Sequence, residues 1–220
     1  MSIQKFNTDF VFAIDAVPAG RTFFFAKRAA DIIISILLLP TLAFFALILS
    51  VVCLFDSGSL IFSQNRVGQR GKIFKIYKFR TMTCQGEARP ARFAPQEQDR
   101  ISRIGRFLRS TRIDELPQII NVLKGEMSLV GPRPEQVAFY RMYEHSIPGY
   151  ARRQLVRPGI TGLAQLKYGY TSDEAGTTRK LKWDLAYITR QGFLLESYIM
   201  LLTCLFVLGR LLHIPTRSKL

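Results

Sequence analysis

An acid pair set among arginines is the feature of this chain that most clearly indicates chemistry. Asp114 and Glu115 follow Arg109 and Arg112 and precede Arg133. Guanidinium groups bind phosphate oxygens in a bidentate manner, and carboxylates bind a divalent cation or attack phosphorus. This combination predicts a site that acts on a phosphorylated substrate, with the acid pair at its centre.

The residues that follow the acid pair predict a helix that starts there and runs to about Lys124. Thr111 and Asp114 have the spacing of a capping box, Pro117 suits only an early helical position, and Gly125 is typical of a helix end. Free N–H groups at the start of such a helix would hold a phosphate in front of the carboxylates. The same spacing also fits acids that merely complement the helix dipole, so both interpretations stay open here.

Two further arginines lie in conformationally restricted segments. Arg133 is flanked by prolines in residues 131–134, and Arg157 is followed by a Pro-Gly pair. Proline fixes the backbone on either side of the arginine and so positions its guanidinium. Two such elements beside an acid pair favour an anion-binding site over ordinary turns.

Arginine recurs at every third position from residue 100 to residue 112. Because a helix turns by about 100° per residue, a step of three residues drifts backwards by about 60°. These arginines therefore spiral around the helix and cannot all face one phosphate. The apolar face of the helix is predicted at Ile101, Ile104 and Leu108.

Alternating β-branched and aromatic residues predict two short strands at residues 60–65 and 73–79, joined by a glycine turn at residues 67–71. The polar segment 83–99 contains two prolines and predicts a loop.

The uncharged segment at residues 32–55 exceeds the about 20 helical residues that cross a bilayer. Pro40 inside it predicts a kink. Lys and Arg residues lie on both flanks, and positive residues prefer the cytoplasmic side. The segment is therefore predicted to enter and leave by one face as a hairpin broken at Pro40, with a kinked spanning helix as the alternative. Residues 193–214 predict one or two amphipathic interfacial helices, or else a core helix.

The composition indicates an anionic partner, since the net charge is +15 while 48% of the residues are hydrophobic. The chain has no helix-turn-helix, zinc-finger or ribonucleoprotein pattern, which argues against nucleic acid and for membrane lipids or a phosphorylated substrate. The three widely spaced cysteines predict neither a disulfide framework nor a zinc site.

Five motifs, in order and in register, resemble the bacterial monotopic phosphoglycosyl transferases, also called bacterial sugar transferases. The matching segments are residues 76–82, 114–118, 121–128, 130–134 and 156–162. The resemblance implies an α+β monotopic membrane protein with a re-entrant helix-break-helix hairpin, a small mixed α/β catalytic domain and amphipathic interfacial helices. The implied divisions are an N-terminal arm (1–25), a re-entrant membrane helix (26–60), a cytoplasmic catalytic domain (61–190) and C-terminal interfacial helices (191–220).

The resemblance also implies the reaction: a sugar-1-phosphate moves from a UDP-sugar to a polyprenyl phosphate such as undecaprenyl phosphate, and UMP leaves. Asp114 is expected to be the nucleophile, forming a phosphosugar-aspartyl intermediate, and Asp114 and Glu115 to bind Mg²⁺. Asp184 and Pro134 are expected to support the site. The side chains expected to hold phosphate oxygens are Lys78, Arg80, Arg109, Arg112, Arg133 and Arg157.

The expected location is the bacterial inner (cytoplasmic) membrane, with the catalytic domain facing the cytoplasm and glycan assembly as the pathway. Larger family members carry extra N-terminal membrane helices, so this chain is expected to be a minimal catalytic unit. Leu39 precedes Pro40 where the family often has serine, and residues 196–199 also depart from its pattern. The sequence leaves open whether the protein forms a homodimer. The alternative function is a non-catalytic membrane-bound scaffold for glycan assembly.

Overall fold

The computed structural model of the protein describes residues 20–53, 59–82, 101–168 and 174–212. The predicted loop 83–99 and residues 1–19 of the predicted arm lie outside the described residues. In chain order, the described helices and strands are α1 (Arg21–Cys53), β1 (Ile61–Val67), β2 (Ile73–Phe79), α2 (Arg103–Thr111), α3 (Gln118–Lys124), β3 (Ser128–Val130), α4 (Val137–Ser146), β4 (Gly159–Thr161), α5 (Leu163–Lys167), α6 (Glu174–Thr189) and α7 (Phe193–Leu211). This mixed and mostly helical architecture confirms the α/β character of the prediction.

The two predicted strands form an antiparallel hairpin. Ile61 of β1 pairs with Phe79 of β2, and Val67 pairs with Ile73. Side chains alternate between the two faces of a strand, and the inward set on β2 includes the buried Phe74. The hairpin therefore lays one apolar face on the core and carries the end of β2 towards the acid pair.

A second, parallel pair of short strands brings the two proline–arginine segments together. Ser128 of β3 pairs with Gly159 of β4. Strand β3 directly precedes the segment that holds Arg133, and strand β4 directly follows Arg157 and Pro158. A Cβ atom on Gly159 would lie 2.1 Å from the Gly131 amide nitrogen, and one on Gly131 would lie 2.5 Å from the Arg157 carbonyl oxygen. Only glycine allows backbones to approach so closely, so this crossing fixes where the segment that holds Arg133 leaves the sheet.

The main core lies between the hairpin, α3, α4 and α6. Its most deeply buried members are large apolar side chains, each at most 1% exposed, which is typical of a closely packed interior. They include Val122, Met127, Tyr150, Leu181 and Tyr187.

The N-terminal helix is continuous across Pro40. α1 contains 33 residues, with Pro40 inside it. The predicted break into two helices is therefore not confirmed. A proline removes one backbone hydrogen bond, and the hydrogen bonds on either side maintain the helix.

The first half of α1 is bound to the rest of the fold by polar contacts. The Arg28 guanidinium donates to the carbonyls of Val122 and Leu123 at 2.7 and 3.1 Å, at the carboxyl end of α3. The Asp31 carboxylate accepts from the Leu129 amide at 3.0 Å. A cation is favourable at the carboxyl end of a helix, so these contacts join α1 to the helix that follows the acid pair.

The second half of α1 packs on the same domain through apolar side chains. Leu49 is buried against Phe79, Leu108 and Ile113 in a second cluster. Between the two packed halves, Leu37 is 70% exposed. α1 therefore presents an exposed apolar middle segment while both of its halves contact one domain.

The C-terminal apolar run forms one helix. α7 spans Phe193–Leu211 and buries Ile199, whereas Leu194 is 89% exposed. Glu196 joins α7 to α1 and α6. Its carboxylate pairs with Lys27 of α1 at 2.6 Å and accepts a hydrogen bond from the Tyr187 hydroxyl of α6 at 2.6 Å. By length and composition alone, α1 and α7 could each cross a membrane, which makes an association with the membrane plausible.

The arginine-rich helix agrees with the prediction only at Leu108 of the predicted apolar face. α2 begins after Ser102, whose hydroxyl accepts from the Gly105 amide at 2.9 Å. Leu108 is buried as predicted, but Ile104 is 45% exposed and Ile101 precedes the helix. The domain therefore covers Leu108 and leaves Ile104 of the predicted apolar face exposed, and Ile101 is not part of the helix.

Candidate active site

The acid pair lies in a short 3₁₀ turn, Ile113–Glu115, between α2 and α3. Arg112 ends α2 and starts this turn with φ 62° and ψ 11°, a left-handed conformation that is uncommon for a non-glycine residue. Pro117 immediately precedes α3, and Gly125 ends it at φ 81°. These two boundaries confirm the helix predicted after the acid pair.

The predicted capping box at Thr111 is wrong. The Thr111 hydroxyl donates backwards to the Phe107 carbonyl at 2.8 Å. Thr111 belongs to the last turn of α2, where a threonine hydroxyl commonly bonds to a carbonyl one turn earlier. The turn that holds the acid pair has no side-chain cap.

Glu115 is paired with cations from three parts of the chain. Its Oε1 atom accepts from Lys78 of β2 at 2.9 Å and from Arg133 at 2.5 Å, and it lies 3.7 Å from the Arg112 guanidinium. Only 5% of Glu115 is exposed. Charge-assisted hydrogen bonds of this kind are strong and directional, so Glu115 draws three predicted phosphate-binding side chains to one point.

Asp114, in contrast, keeps an oxygen free. It is 7% exposed, and its Oδ1 atom has no hydrogen-bond partner within the part of the chain that the structure describes. Buried polar atoms without partners are rare in folded proteins and often mark places that bind a ligand, a water or an ion. Asp114 is therefore the carboxylate of the pair that is available for chemistry.

The two carboxyl groups have opposite pKa shifts. Burial, and then the adjacent charge of Glu115, raise the pKa of Asp114 to about 6, although Lys78, Arg133 and Arg112 act in the other direction. Burial would also raise the pKa of Glu115, but Arg133, Lys78 and Arg112 outweigh it and hold that pKa well below its ordinary value. At neutral pH both groups are ionised, and Asp114 is the more basic of the two.

Arg133 is held from behind by a buried ion pair. The Arg153 guanidinium donates to Asp184 Oδ2 at 2.7 Å, to the Tyr150 hydroxyl at 2.7 Å and to the Arg133 carbonyl oxygen at 2.9 Å. The Arg133 side chain also approaches Gln165 Oε1 at 3.4 Å. Asp184 thus reaches the site through Arg153, which gives a physical basis to the supporting role predicted for it.

Pro134 is held from the hairpin side. Its carbonyl oxygen accepts from the Arg66 guanidinium at 3.3 Å, and Arg66 also pairs with Glu135 at 3.9 Å. The backbone on both sides of the Arg133 side chain is therefore fixed by hydrogen bonds as well as by the prolines.

Two of the predicted phosphate-binding arginines lie beside the end of β2. Arg109 donates to the Thr81 hydroxyl at 2.8 Å. The Arg80 amide donates to the Leu60 carbonyl at 3.0 Å, which ends the strand pair, and its side chain is half-buried. Arg80 is adjacent to Thr81 in the sequence, and Arg109 contacts Thr81 in the structure. Both arginines therefore lie near the end of β2, which also carries Lys78.

Arg157 lies at the opposite end of α3 from the acid pair. Its Nε atom donates to the Gly125 carbonyl at 3.0 Å. A seven-residue helix is about 10 Å long, so Arg157 is not brought together with Lys78, Arg112 and Arg133. The contact with the end of α3 resembles that of Arg28, and its predicted phosphate-binding role stays a prediction.

Sequence reasoning missed two residues of this region. Arg153 carried no signal, because its partner Asp184 is 31 residues away in the chain and the ion pair exists only in the folded domain. Gln118 follows Pro117 in a motif of the resembling family, yet its complete burial could not be inferred from local sequence.

We expect Asp184→Asn to destabilise the protein, because it would leave the Arg153 guanidinium largely buried without its counter-ion. The expected loss is about 3–5 kcal/mol, seen as a midpoint of thermal unfolding lowered by on the order of 10 °C in detergent. Glu144→Gln, at an exposed carboxylate, is the control and should shift the midpoint little. A midpoint for Asp184→Asn equal to that of the control would contradict this account of Asp184.

Comparisons with known proteins agree with the geometry. The family model for bacterial sugar transferases matches residues 22–210. An Aeromonas hydrophila protein named UDP-N-acetylgalactosamine-undecaprenyl-phosphate N-acetylgalactosaminephosphotransferase is 42% identical over 180 residues, which cover 81% of this chain and 43% of that protein. An Escherichia coli K12 protein named UDP-glucose:undecaprenyl-phosphate glucose-1-phosphate transferase is 41% identical over 183 residues, covering 80% of this chain and 39% of that one.

A third relative is similar to this chain in extent. The Rhizobium leguminosarum exopolysaccharide production protein PSS is 38% identical over 195 residues, which cover 84% of this chain and 96% of that protein. The chain therefore spans about two fifths of the length of the first two relatives and nearly all of the third. Since the family model covers most of its length and the acid pair with its cations is in place, the chain belongs to the bacterial sugar transferase family.

Proposed function

We propose that this protein transfers a sugar-1-phosphate from a UDP-sugar to undecaprenyl phosphate through a covalent phosphosugar on Asp114, and that UMP leaves. The observation that carries this proposal is the unequal acid pair: Glu115 is paired with three cations, and Asp114 keeps a free, buried oxygen. The names of the Aeromonas and Escherichia relatives support the donor and acceptor classes. The name of the Rhizobium relative supports a role in exopolysaccharide assembly.

The chemistry is two successive displacements at one phosphorus atom. First, an Asp114 carboxylate oxygen attacks the sugar-bearing phosphorus, the bond from this phosphorus to the bridging oxygen breaks, and UMP leaves with the electron pair. Then a phosphate oxygen of undecaprenyl phosphate attacks the same phosphorus, and Asp114 leaves as a carboxylate. A covalent route divides one exchange into two steps at a single site, and the raised pKa of Asp114 is consistent with a more basic nucleophile than a solvated aspartate.

The cations around Glu115 are positioned to stabilise the transferring phosphoryl group. Lys78, Arg112 and Arg133 converge on one carboxylate oxygen next to Asp114. Fixed positive groups at the site of developing charge lower the barrier because they need no reorganisation during the reaction. Glu115 keeps these three cations together, and Arg80 and Arg109 would extend the positive surface along the end of β2.

The free Asp114 oxygen also fits a divalent cation. Mg²⁺ prefers oxygen ligands and is usually held by one or two carboxylates together with substrate phosphates. Among the residues that the structure describes, nothing is hydrogen-bonded to the buried Asp114 Oδ1, whereas the Glu115 carboxylate is already paired with positive side chains. Asp114 would therefore be the principal protein ligand, with Glu115 beside it, and bound Mg²⁺ would neutralise the diphosphate of the donor.

We place α1 in the cytoplasmic face of the membrane as a re-entrant segment. Asp31 contacts β3, Leu49 packs on Phe79, and the exposed apolar residues lie between them. A helix whose two halves contact one domain cannot also cross a hydrocarbon core of about 30 Å. This packing supports a chain that enters and leaves by the side on which the catalytic domain lies, in agreement with the basic residues on both flanks.

We expect Asp114→Asn to abolish UMP release while leaving membrane association intact, because the amide is a poor nucleophile and α1 is untouched. The assay uses the detergent-purified full chain with Mg²⁺, undecaprenyl phosphate, and UDP-N-acetylgalactosamine or UDP-glucose. Glu144→Gln serves as a matched control and should retain turnover. Turnover by Asp114→Asn would exclude the nucleophile assignment, and no release by the wild type with any UDP-sugar would favour the scaffold alternative.

Labelling of single cysteines tests the re-entrant path. Gly20→Cys and Ser59→Cys place one thiol at each end of α1, in a protein whose three native cysteines are replaced by serine. We expect both thiols to be protected from an impermeant maleimide in intact cells and to react after lysis. Reaction of one of them in intact cells would show a spanning helix instead.

A further inference from the structure

A fully buried glutamine lies close to the acid pair in the sequence. Gln118 is 0% exposed, and neither Oε1 nor Nε2 makes a hydrogen bond within the described parts of the chain. Burying an amide without hydrogen bonds destabilises a fold. Such a residue in a native interior calls for an explanation outside fold stability.

The same helix contains a buried amide that shows what a structural role looks like. Asn121 is also 0% exposed, but its Nδ2 atom donates to the Lys75 carbonyl at 2.7 Å and to Glu126 Oε2 at 2.7 Å. Its Oδ1 atom accepts from the Tyr77 amide at 3.2 Å. Asn121 therefore joins α3 to the hairpin. The Gln118 side chain makes no comparable hydrogen bond to any residue that the structure describes.

Gln118 is placed to meet Asp114. The 3₁₀ turn Ile113–Glu115 leads directly into α3, since Leu116 (φ −53°, ψ −40°) and Pro117 (φ −59°, ψ −16°) both have right-handed helical backbone angles. Residues four apart on a helix are neighbours, with Cβ atoms about 5–6 Å apart, and glutamine–aspartate pairs form hydrogen bonds at this spacing. Gln118 follows Asp114 by four positions, so its amide, unpartnered within the described residues, is held about one turn of the chain from the Oδ1 atom of Asp114.

The cations near Asp114 do not supply the missing donor. Lys78 and Arg133 donate to Glu115, Arg112 lies 3.7 Å from the same carboxylate, and none of the three donates to Asp114 Oδ1. Catalytic hydrogen bonds are often incomplete in a free enzyme and form only when the substrate is bound. An amide held one turn from the nucleophile provides such a bond without competing for the phosphate.

We propose that Gln118 is a positioning residue for Asp114: when the donor substrate is bound, the Gln118 side-chain N–H donates to Asp114 Oδ1 and so directs the other carboxylate oxygen at phosphorus. A carboxylate oxygen has two lone pairs, so Oδ1 can accept this hydrogen bond and bind Mg²⁺ as well. This inference rests on the proposed function, because it assigns Gln118 to the same displacement. It concerns orientation of the nucleophile and assigns Gln118 no contact with the sugar. Gln118 therefore contributes to the rate of the chemical step and contributes nothing to donor binding.

The test compares kcat, KM for the UDP-sugar and the midpoint of thermal unfolding in the wild type, Gln118→Met, Gln118→Glu and Asn121→Leu. Methionine keeps the length and apolar volume of glutamine but has no N–H, and glutamate keeps the acceptor oxygen. We expect Gln118→Met to lower kcat by roughly 10- to 100-fold, with KM nearly unchanged and an unfolding midpoint equal to or above that of the wild type. Gln118→Glu should lose activity as well, while Asn121→Leu should lose stability and activity together.

Each other result has a definite meaning. Wild-type kcat in Gln118→Met, or a loss of activity that parallels a loss of stability as in Asn121→Leu, overturns the positioning role. Activity in Gln118→Glu that persists as the pH is raised overturns the assignment of the amide as donor, because an ionised carboxylate can only accept. Absence of UMP release by the wild type with UDP-N-acetylgalactosamine, UDP-glucose and other UDP-sugars contradicts the proposed function itself, and the role of Gln118 falls with it.

Discussion

Glu115 is the residue on which the geometry of the site depends. Its buried carboxylate attracts Lys78 from the hairpin, Arg112 from the end of α2 and Arg133 from the segment after β3. Like charges brought so close would repel one another without an anion between them. Because Glu115 satisfies these cations, Asp114 stays buried with a free oxygen, and neighbouring carboxyl groups acquire different roles from their surroundings.

The rest of the fold keeps these cations in place and connects them to the membrane. The close approach of Gly131 and Gly159 and the Arg153–Asp184 pair fix the backbone that carries Arg133. Arg28 of α1 binds the far end of α3. The helix that would lie in the bilayer is therefore in direct contact with the helix that follows the acid pair. This contact would keep Asp114, the proposed nucleophile, at a fixed position relative to a lipid-bound acceptor.

Sequence patterns predicted the parts of this arrangement that local chemistry determines. The two strands and the ends of α3 followed from alternation, Pro117 and Gly125, because turns and helix ends depend on neighbouring residues. The capping role predicted for Thr111 was wrong, and the exposure of Ile104 could not be predicted, since both depend on how α2 meets the domain. Likewise, no pattern shows which acid of the pair takes the cations, because Lys78 lies 37 residues from Glu115 and meets it only after folding.

The most direct test of this account is the mass of the intact protein after brief incubation with Mg²⁺ and a UDP-sugar that it accepts, without undecaprenyl phosphate. The account predicts a gain equal to one sugar phosphate, located on the peptide that contains Asp114 and lost when undecaprenyl phosphate is added. UMP release in the complete reaction without any such adduct at Asp114 would contradict the covalent route and the division of roles between Asp114 and Glu115.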